Sequence, residues 1–513
     1  MREAKTSLQM NQLKAGIALN YAIIILSALV GLLYTPYMLR MMGQSEYGLY
    51  SLVASVISYL TILDLGFGNA IVRYTAKYRA EGKTTEQYEM FGMFLLLYLG
   101  IGLLSAVVGG ALYFNIDNMF GGTMTPAELD KARILMIIMV ANLAVTFPMS
   151  IFGSIMSAYE RFVFPKVINI LRILLNTVVM IALLSKGYKA IAMVIVQTAF
   201  NVATLLINFI YCRKNLHIEI RFGKFKWGFL KEVAIYSLWI FINIILDRIY
   251  WSTGQFVLGI VSGTVSVAIF AVAIHLENLY MQFSTAITGV FLPRVTGMVS
   301  SNASDKELSD LFIKTGRIQN LIMSLLLFGF IVFGKTFTVL WAGENYSDSF
   351  LITLLFFIAL YTPLIQNLGI TILQARNQMK FRSLLYFGIA FVSLALQFVF
   401  ARIWGGLGCA IAISGALVIG QGVIMNIYYS KVQGIEIRSF WSEILKMDII
   451  PLLVSAVFIL AKSYFAFDTW LSLGLGIVSY SIIIIVLEYL LCLNEEEKRL
   501  LTPSFIKSGH TEL

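Results

Sequence analysis

The chain is short of charge. Only 13% of its 513 residues are Asp, Glu, Lys or Arg, against about 25% in a soluble domain. That excludes an ordinary water-soluble globule. Cysteine is scarce: Cys212, Cys409 and Cys492 lie far apart, without the spacing of a metal knuckle or a redox pair. Histidine is equally rare, and His217, His275 and His510 are scattered. No metal centre, no resident cofactor and no catalytic set is therefore expected.

What is present is apolar. Hydrophobic residues make up 59% of the chain, and the mean hydropathy is +0.82. Runs long enough to cross a bilayer, about 20 residues each, recur from 16–39 to 470–493, and about fourteen are expected. The run at 16–39 is longer than a signal-peptide core, and no small-residue cleavage site follows it, so it reads as a retained first helix. The expected fold is an all-α polytopic membrane protein.

The net charge of +10 would suit nucleic acid if it were clustered on one face. Instead it alternates with the spans. One set of loops carries most of the Lys and Arg, among them Arg73, Lys77, Arg79, Lys83, Arg213, Lys214, Arg376, Lys380 and Arg382. The opposite loops carry only Arg40, Lys131, Arg133, Lys186, Lys189, Lys335, Arg402 and Lys462. By the positive-inside rule both termini are cytoplasmic. The basic excess is then topology, and no nucleic-acid partner is expected. The longest outer loop, about Asn115 to Lys131, is too short for an outer catalytic domain.

The halves resemble each other at a shift of roughly 220 residues, as expected of a parallel transporter repeat. Gly43–Arg73 lies against Gly263–Arg294, with Gly68 on Gly289 and Arg73 on Arg294. Further on, Ala158 falls on Ala375 and Phe164 on Phe381. The expected organisation is a first lobe at 1–212 (spans 1–6), a basic linker at 213–231, a second lobe at 232–430 (spans 7–12) and a final part at 431–513 with two extra spans and a tail. Parallel repeats usually place a substrate cavity between lobes. The linker, RKNLHIEIRFGKFKWGFLK, mixes bases with aromatics, as a segment at headgroup level does.

Gly329–Thr336 reads GFIVFGKT and satisfies the phosphate-loop pattern. A working phosphate loop joins a buried strand to a solvated helix start. Here the stretch closes a membrane span, so nucleotide binding is not expected.

Polar side chains inside the spans recur at helical spacing. Asn169, Arg172 and Asn176 share a face of span 5, and Asn201 lies on a polar face of span 6. Thr61, Asp64 and Gly68 share a face of span 2. Asn243, Asp247 and Tyr250 share a face of span 7, with Arg248 beside them. Span 8 carries His275 and Glu277. Neutral polar residues can serve only as interhelical hydrogen bonds, at about 0.6 kcal/mol each. Ionisable groups cost more, about 2.5–3.5 kcal/mol at mid-membrane, and so carry functional weight. Guanidinium forks onto phosphate oxygens, so Arg172 and Arg248, with Asn169, Asn176 and Asn201, are the candidate contacts for an anionic, phosphate-bearing substrate. Asp64, Asp247 and Glu277 are candidates for proton or sodium coupling.

Four stretches carry a family resemblance: Met41–Lys83, Ser237–Ala273, FLPRVTGM at Phe291–Met298, and FGKTFTVLWAGENYSDS at Phe333–Ser349. In order, they resemble the polysaccharide-export or lipid-linked oligosaccharide flippases. That family lies within the multidrug/oligosaccharidyl-lipid/polysaccharide exporter superfamily. The resemblance implies a transporter in the bacterial cytoplasmic (inner) membrane. Its substrate would be an undecaprenyl-diphosphate-linked repeat unit, turned from the cytoplasmic to the outer face by ion-coupled alternating access through a cationic inter-lobe cavity. Glycan polymerase, glycosyltransferases and membrane lipids are the implied partners. The alternatives are a drug or cation extruder of the same superfamily, which would want an acidic, aromatic cavity, and a membrane glycan polymerase or ligase, which would want a large outer loop.

Overall fold

The computed structural model describes residues 2–223, 227–288, 291–465, 467–495 and 497–498. Every regular element among them is helical. The chain divides into two compact units, Met1–Ala271 and Val272–Leu513.

Unit 1 contains α1 (Arg2–Met42), α2 (Gln44–Leu60), α3 (Phe67–Ala80), α4 (Thr84–Phe114), α5 (Ile116–Phe120), α6 (Pro126–Ala158), α7 (Val163–Ser185), α8 (Ala190–Lys214), α9 (Trp227–Trp251), α10 (Thr253–Val261) and the start of α11 (Gly263–Thr288). Helix α6 runs through its middle, packed on α2, α3, α4 and α8, while α7 packs on α1 and α8. The start of α6 is set by a capping box. Thr125 Oγ1 accepts the Glu128 N–H at 3.4 Å, and Glu128 Oε2 accepts the Thr125 N–H at 2.9 Å, with Pro126 filling the first helical position. Glu128 Oε1 also accepts from Ser45 at 2.6 Å and from Thr264 at 2.8 Å. One carboxylate in the expected outer loop thus holds together the ends of α2, α6 and α11.

Unit 2 continues with the rest of α11, then α12 (Leu292–Ser300), α13 (Asp305–Ala342), α14 (Ser349–Ile365), α15 (Leu368–Ala375), α16 (Lys380–Leu417), α17 (Met425–Lys431), α18 (Ile437–Ala461) and α19 (Trp470–Leu491). Helix α13 is its axis, packed on α14, α18 and α19. Val332 and Phe333 meet Ile450, Val454, Leu473 and Tyr480 there in a buried cluster. Opposite faces remain apolar and exposed, as with Leu471, Leu475, Leu490 and Leu491 of α19. With no water in the hydrocarbon core, such faces suit lipid, and helices satisfy their own backbone groups.

Among the described residues eleven helical stretches are long and apolar enough to cross a membrane, or twelve with the bent pair α14–α15. Fourteen were expected. Part of the difference is one 52-residue stretch, Lys380–Lys431. At 1.5 Å per residue it is about 78 Å long, more than twice a hydrocarbon core of about 30 Å. Gly405 turns it, at φ 56° and ψ −132°, a conformation essentially closed to other residues. The expected spans 383–403 and 407–430 meet at this turn.

In the linker, residues 217–223 form no helix or strand, His217 is left-handed at φ 51°, and the Arg221 N–H donates to Tyr88 O at 3.2 Å, which ties the segment to the start of α4. Residues 224–226 lie outside the described part.

Candidate substrate and cation sites

Span 2 is not one helix, which corrects the expected Thr61–Asp64–Gly68 face. Helix α2 tightens into a 3-10 turn at Thr61–Asp64, and Leu65 (φ 54°) and Gly66 (φ 72°) then take left-handed conformations before α3 begins. Glycine adopts that conformation freely, whereas Leu65 does so at a cost of about 1 kcal/mol. The break puts the Asp64 carboxylate at the entrance to α3, where it accepts the Gly66 N–H and the Tyr98 hydroxyl at 3.0 Å. A carboxylate at a helix N-terminus is favoured by the unpaired N–H groups and the dipole.

Helix α9 packs on α2, on the 3-10 turn and on α3. The Arg248 side chain of α9 lies near the end of α2, within electrostatic range of Tyr59. Arg248 is half-buried. The Tyr59 hydroxyl bonds Thr253 Oγ1. Arg248 Nε is buried and has no hydrogen-bond partner among the described residues. The expected Asn243–Asp247–Tyr250 face does not hold as one surface: Asp247 is exposed while Tyr250 is fully buried. The side chain of Asn243 lies outside the described part.

Helix α7 is unbroken, so Asn169, Arg172 and Asn176 do share a face, and all three are half-buried. The Oδ1 of Asn176 is buried without a partner among the described residues. Asn201 differs. Its Nδ2 donates to Asn142 Oδ1 at 2.9 Å and to Thr146 Oγ1 at 2.8 Å, bridging α8 to α6. Asn142 and Thr146 were overlooked in the sequence, although they stand one helical turn apart. In unit 1 the expected set is therefore dispersed: Asp64 at the break after α2, Arg248 on α9, the α7 stripe, and Asn201 of α8, bonded to α6.

In unit 2, Glu277 is fully buried. Neither of its carboxyl oxygens has a hydrogen-bond partner among the described residues. An ionised carboxylate in that position would carry a large uncompensated desolvation cost, so the group is neutral or meets a cation. His275 stacks on Trp341 at 5.8 Å between ring centroids. Two further groups escaped the sequence reading. Asp448 accepts from Tyr361 and Asn320. Arg317 is buried and clamps Glu497 at 2.7 Å and Glu443 at 2.6 Å. Among the described residues no three His, Cys, Asp or Glu side chains gather as a metal site.

A helical chain with many crossings and half-buried guanidinium and carboxyl groups inside them has the form of a polytopic membrane transporter. The chain belongs to the polysaccharide biosynthesis protein family, whose profile matches residues 13–299. It is similar to "Uncharacterized membrane protein EpsK" of Bacillus subtilis (strain 168), 22% identical over 502 residues, which is 95% of this chain and 97% of that one. It is also similar to "Putative O-antigen transporter" of Shigella flexneri, 22% identical over 417 residues, 76% of this chain and 92% of that one. Its fold resembles the lipid II flippase MurJ in an inward closed conformation, with a TM-score of 0.70 at 16% identity, covering 92% of this chain and 98% of that one. The family and fold thus agree with the polysaccharide-exporter resemblance carried by the sequence.

Proposed function

We propose that the chain is a transporter, not an enzyme, that flips a lipid-linked oligosaccharide across the bacterial cytoplasmic membrane. The substrate is an undecaprenyl-diphosphate-linked repeat unit, moved from the cytoplasmic to the outer face for cell-surface polysaccharide synthesis. Both termini are cytoplasmic, as the basic loops favour. Membrane lipids surround it, and glycosyltransferases and a glycan polymerase work before and after it. The family membership supports a role in polysaccharide synthesis, and the names of the Shigella relative and of MurJ support transport of a lipid-linked glycan.

The observation that carries the reading is Arg248. A guanidinium that is half-buried in an apolar helix, with Nε buried and unpartnered among the described residues, is left able to fork onto a diphosphate. Arg172 is the second cation of the set, with Asn169 and Asn176 as neutral contacts, while Asn201 is held by Asn142 and Thr146. Coupling to a proton or to sodium is assigned to Asp64, Asp247 and Glu277. Glu277 has the best support, because its buried carboxyl lacks any partner among the described residues.

The test uses the full chain in vesicles loaded with an undecaprenyl-diphosphate oligosaccharide, with lectin access reporting the outer leaflet. The wild type is expected to expose the glycan, and Arg172→Ala and Arg248→Ala are each expected to slow exposure while still inserting. Full rates in both variants would remove these residues from substrate contact.

A further inference from the structure

Unit 2 holds a polar group that the transport reading leaves unused. It lies where α13, α14, α18 and α19 meet. The Tyr361 hydroxyl of α14 stands 2.7 Å from Asp448 Oδ1 and 2.8 Å from Asp448 Oδ2 on α18. The same hydroxyl lies against Asn320 Oδ1 of α13. Asn320, which is fully buried, donates its Nδ2 to Asp448 Oδ1 at 3.0 Å.

The hydrogens here are one too few. A tyrosine hydroxyl has one hydrogen, and an ionised aspartate has none to give. If Tyr361 donates to Asp448, its oxygen faces Asn320 Oδ1 with only lone pairs between them. One proton on Asp448 Oδ2 removes the conflict. Asp448 then donates to Tyr361, Tyr361 donates to Asn320 Oδ1, and Asn320 Nδ2 donates back to Asp448 Oδ1. Each of the three side chains then donates one hydrogen to the next.

A second buried carboxyl lies within electrostatic range of the ring. Glu488 of α19 is only 2% exposed, its Oε1 has no partner among the described residues, and it interacts electrostatically with Asp448. Ser324, one turn beyond Asn320 on the same helix, is also fully buried, and its Oγ is unpartnered among the described residues. A cavity of about 240 Å³, walled by Ile318, Leu321, Ile322, Leu325 and Ile485, reaches Glu488.

The other ionisable neighbours do not supply the missing charge. Tyr280 of α11 acts on Asp448, and its hydroxyl donates to Met323 O at 3.3 Å. Tyr480 of α19 is bonded to Ser455 at 2.8 Å. Cys492, beyond α19, interacts with Glu488. Arg317, a turn before Asn320, is engaged by Glu497 and Glu443, and Lys446 pairs with Glu443 at 2.8 Å.

We propose that Asp448 and Glu488 form a proton-binding site inside unit 2, holding one exchangeable proton that closes the Asp448–Tyr361–Asn320 ring. The site is separate from Glu277 and does not rest on the transport reading. Infrared spectra of the full chain in detergent, taken from neutral to alkaline pH, read the carbonyl stretch of a protonated carboxyl. Glu277→Gln is the background, so that carboxyl is silent. The expected result is a protonated-carboxyl band at neutral pH that fades as pH rises and is lost when Asp448→Asn and Glu488→Gln are added. Identical spectra with and without those two changes overturn the proposal. So does a band that vanishes on adding sodium chloride at fixed pH, which would make this a sodium site. If the triple variant does not fold, Tyr361→Phe in the same background decides. It removes the acceptor of the Asp448 proton and is expected to shift the band, and an unshifted band overturns the proposal.

Discussion

Tyr98 donates its hydroxyl to Asp64 Oδ1 at 3.0 Å, from a ring that is fully buried, at the point where span 2 breaks. The pair joins α4 to the start of α3, and it sets the first prediction. Asp64→Ala strands the Gly66 N–H and leaves the Tyr98 hydroxyl with Ser150 alone, a loss of about 1–3 kcal/mol for a buried group left unpaired on top of the lost bond from Tyr98. Tyr98→Phe removes one bond to the carboxylate, about 1.5–3 kcal/mol, and leaves the Gly66 N–H satisfied. Asp64→Asn keeps an acceptor and stays near wild type. Thermal unfolding in detergent should rank the variants in that order, with Asp64→Ala lowest. An Asp64→Ala protein as stable as Tyr98→Phe would mean that the carboxylate does not hold the break.

Arg248 is predicted not to tolerate lysine. An ammonium keeps the charge but loses the planar fork that grips two oxygens at once. A charge-assisted hydrogen bond is worth about 1.5–3 kcal/mol, roughly ten- to hundred-fold in affinity. Arg248→Lys should therefore weaken binding of a lipid diphosphate by about ten-fold or more, while a lipid monophosphate changes less. Binding titrations with both lipids check this, and equal losses would point to charge alone.

How far these sites could be read from residues depends on backbone regularity. Arg172 and its asparagines stand at i, i+3 and i+7 on a helix that proves continuous, so their shared face was legible. The same arithmetic fails at Asp64, because Leu65 and Gly66 turn the chain left-handed within an apolar run. The written sign was Gly66, two residues past the acid, with Gly68 after it, and glycine is common in membrane helices for packing alone. Asp448 was missed for another reason. Its partners, Asn320 and Tyr361, lie on helices far away in sequence, and no local spacing encodes such a meeting. Arg317 stands at a span end, where charge is usually solvated, and the acids that bury it come from positions 443 and 497.

Asn201 separates the two uses of an amide inside a span. Its donors are already committed to Asn142 and Thr146. Interhelical bonds of this kind are worth about 0.6 kcal/mol on average. Asn201→Ala should lower the unfolding temperature slightly and leave glycan exposure in vesicles near the wild-type rate. A collapse of transport at unchanged stability would return Asn201 to the substrate set.

The Arg317 clamp gives the largest expected effect. The Arg317 side chain is 8% exposed and that of Glu497 only 1%, and the guanidinium also donates to Cys492 O at 2.7 Å. This arginine therefore fastens the segment after α19 to α13. Removing one partner of a buried pair leaves the other charge uncompensated, at about 3–5 kcal/mol. Arg317→Ala should be strongly destabilised. Arg317→Ala with Glu497→Gln should recover part of the loss, because the stranded carboxylate is gone. Thermal unfolding of the two singles and the double forms a cycle. Strictly additive losses would show that the pair does not act as a unit, and that the segment just after α19 is held by its apolar contacts instead.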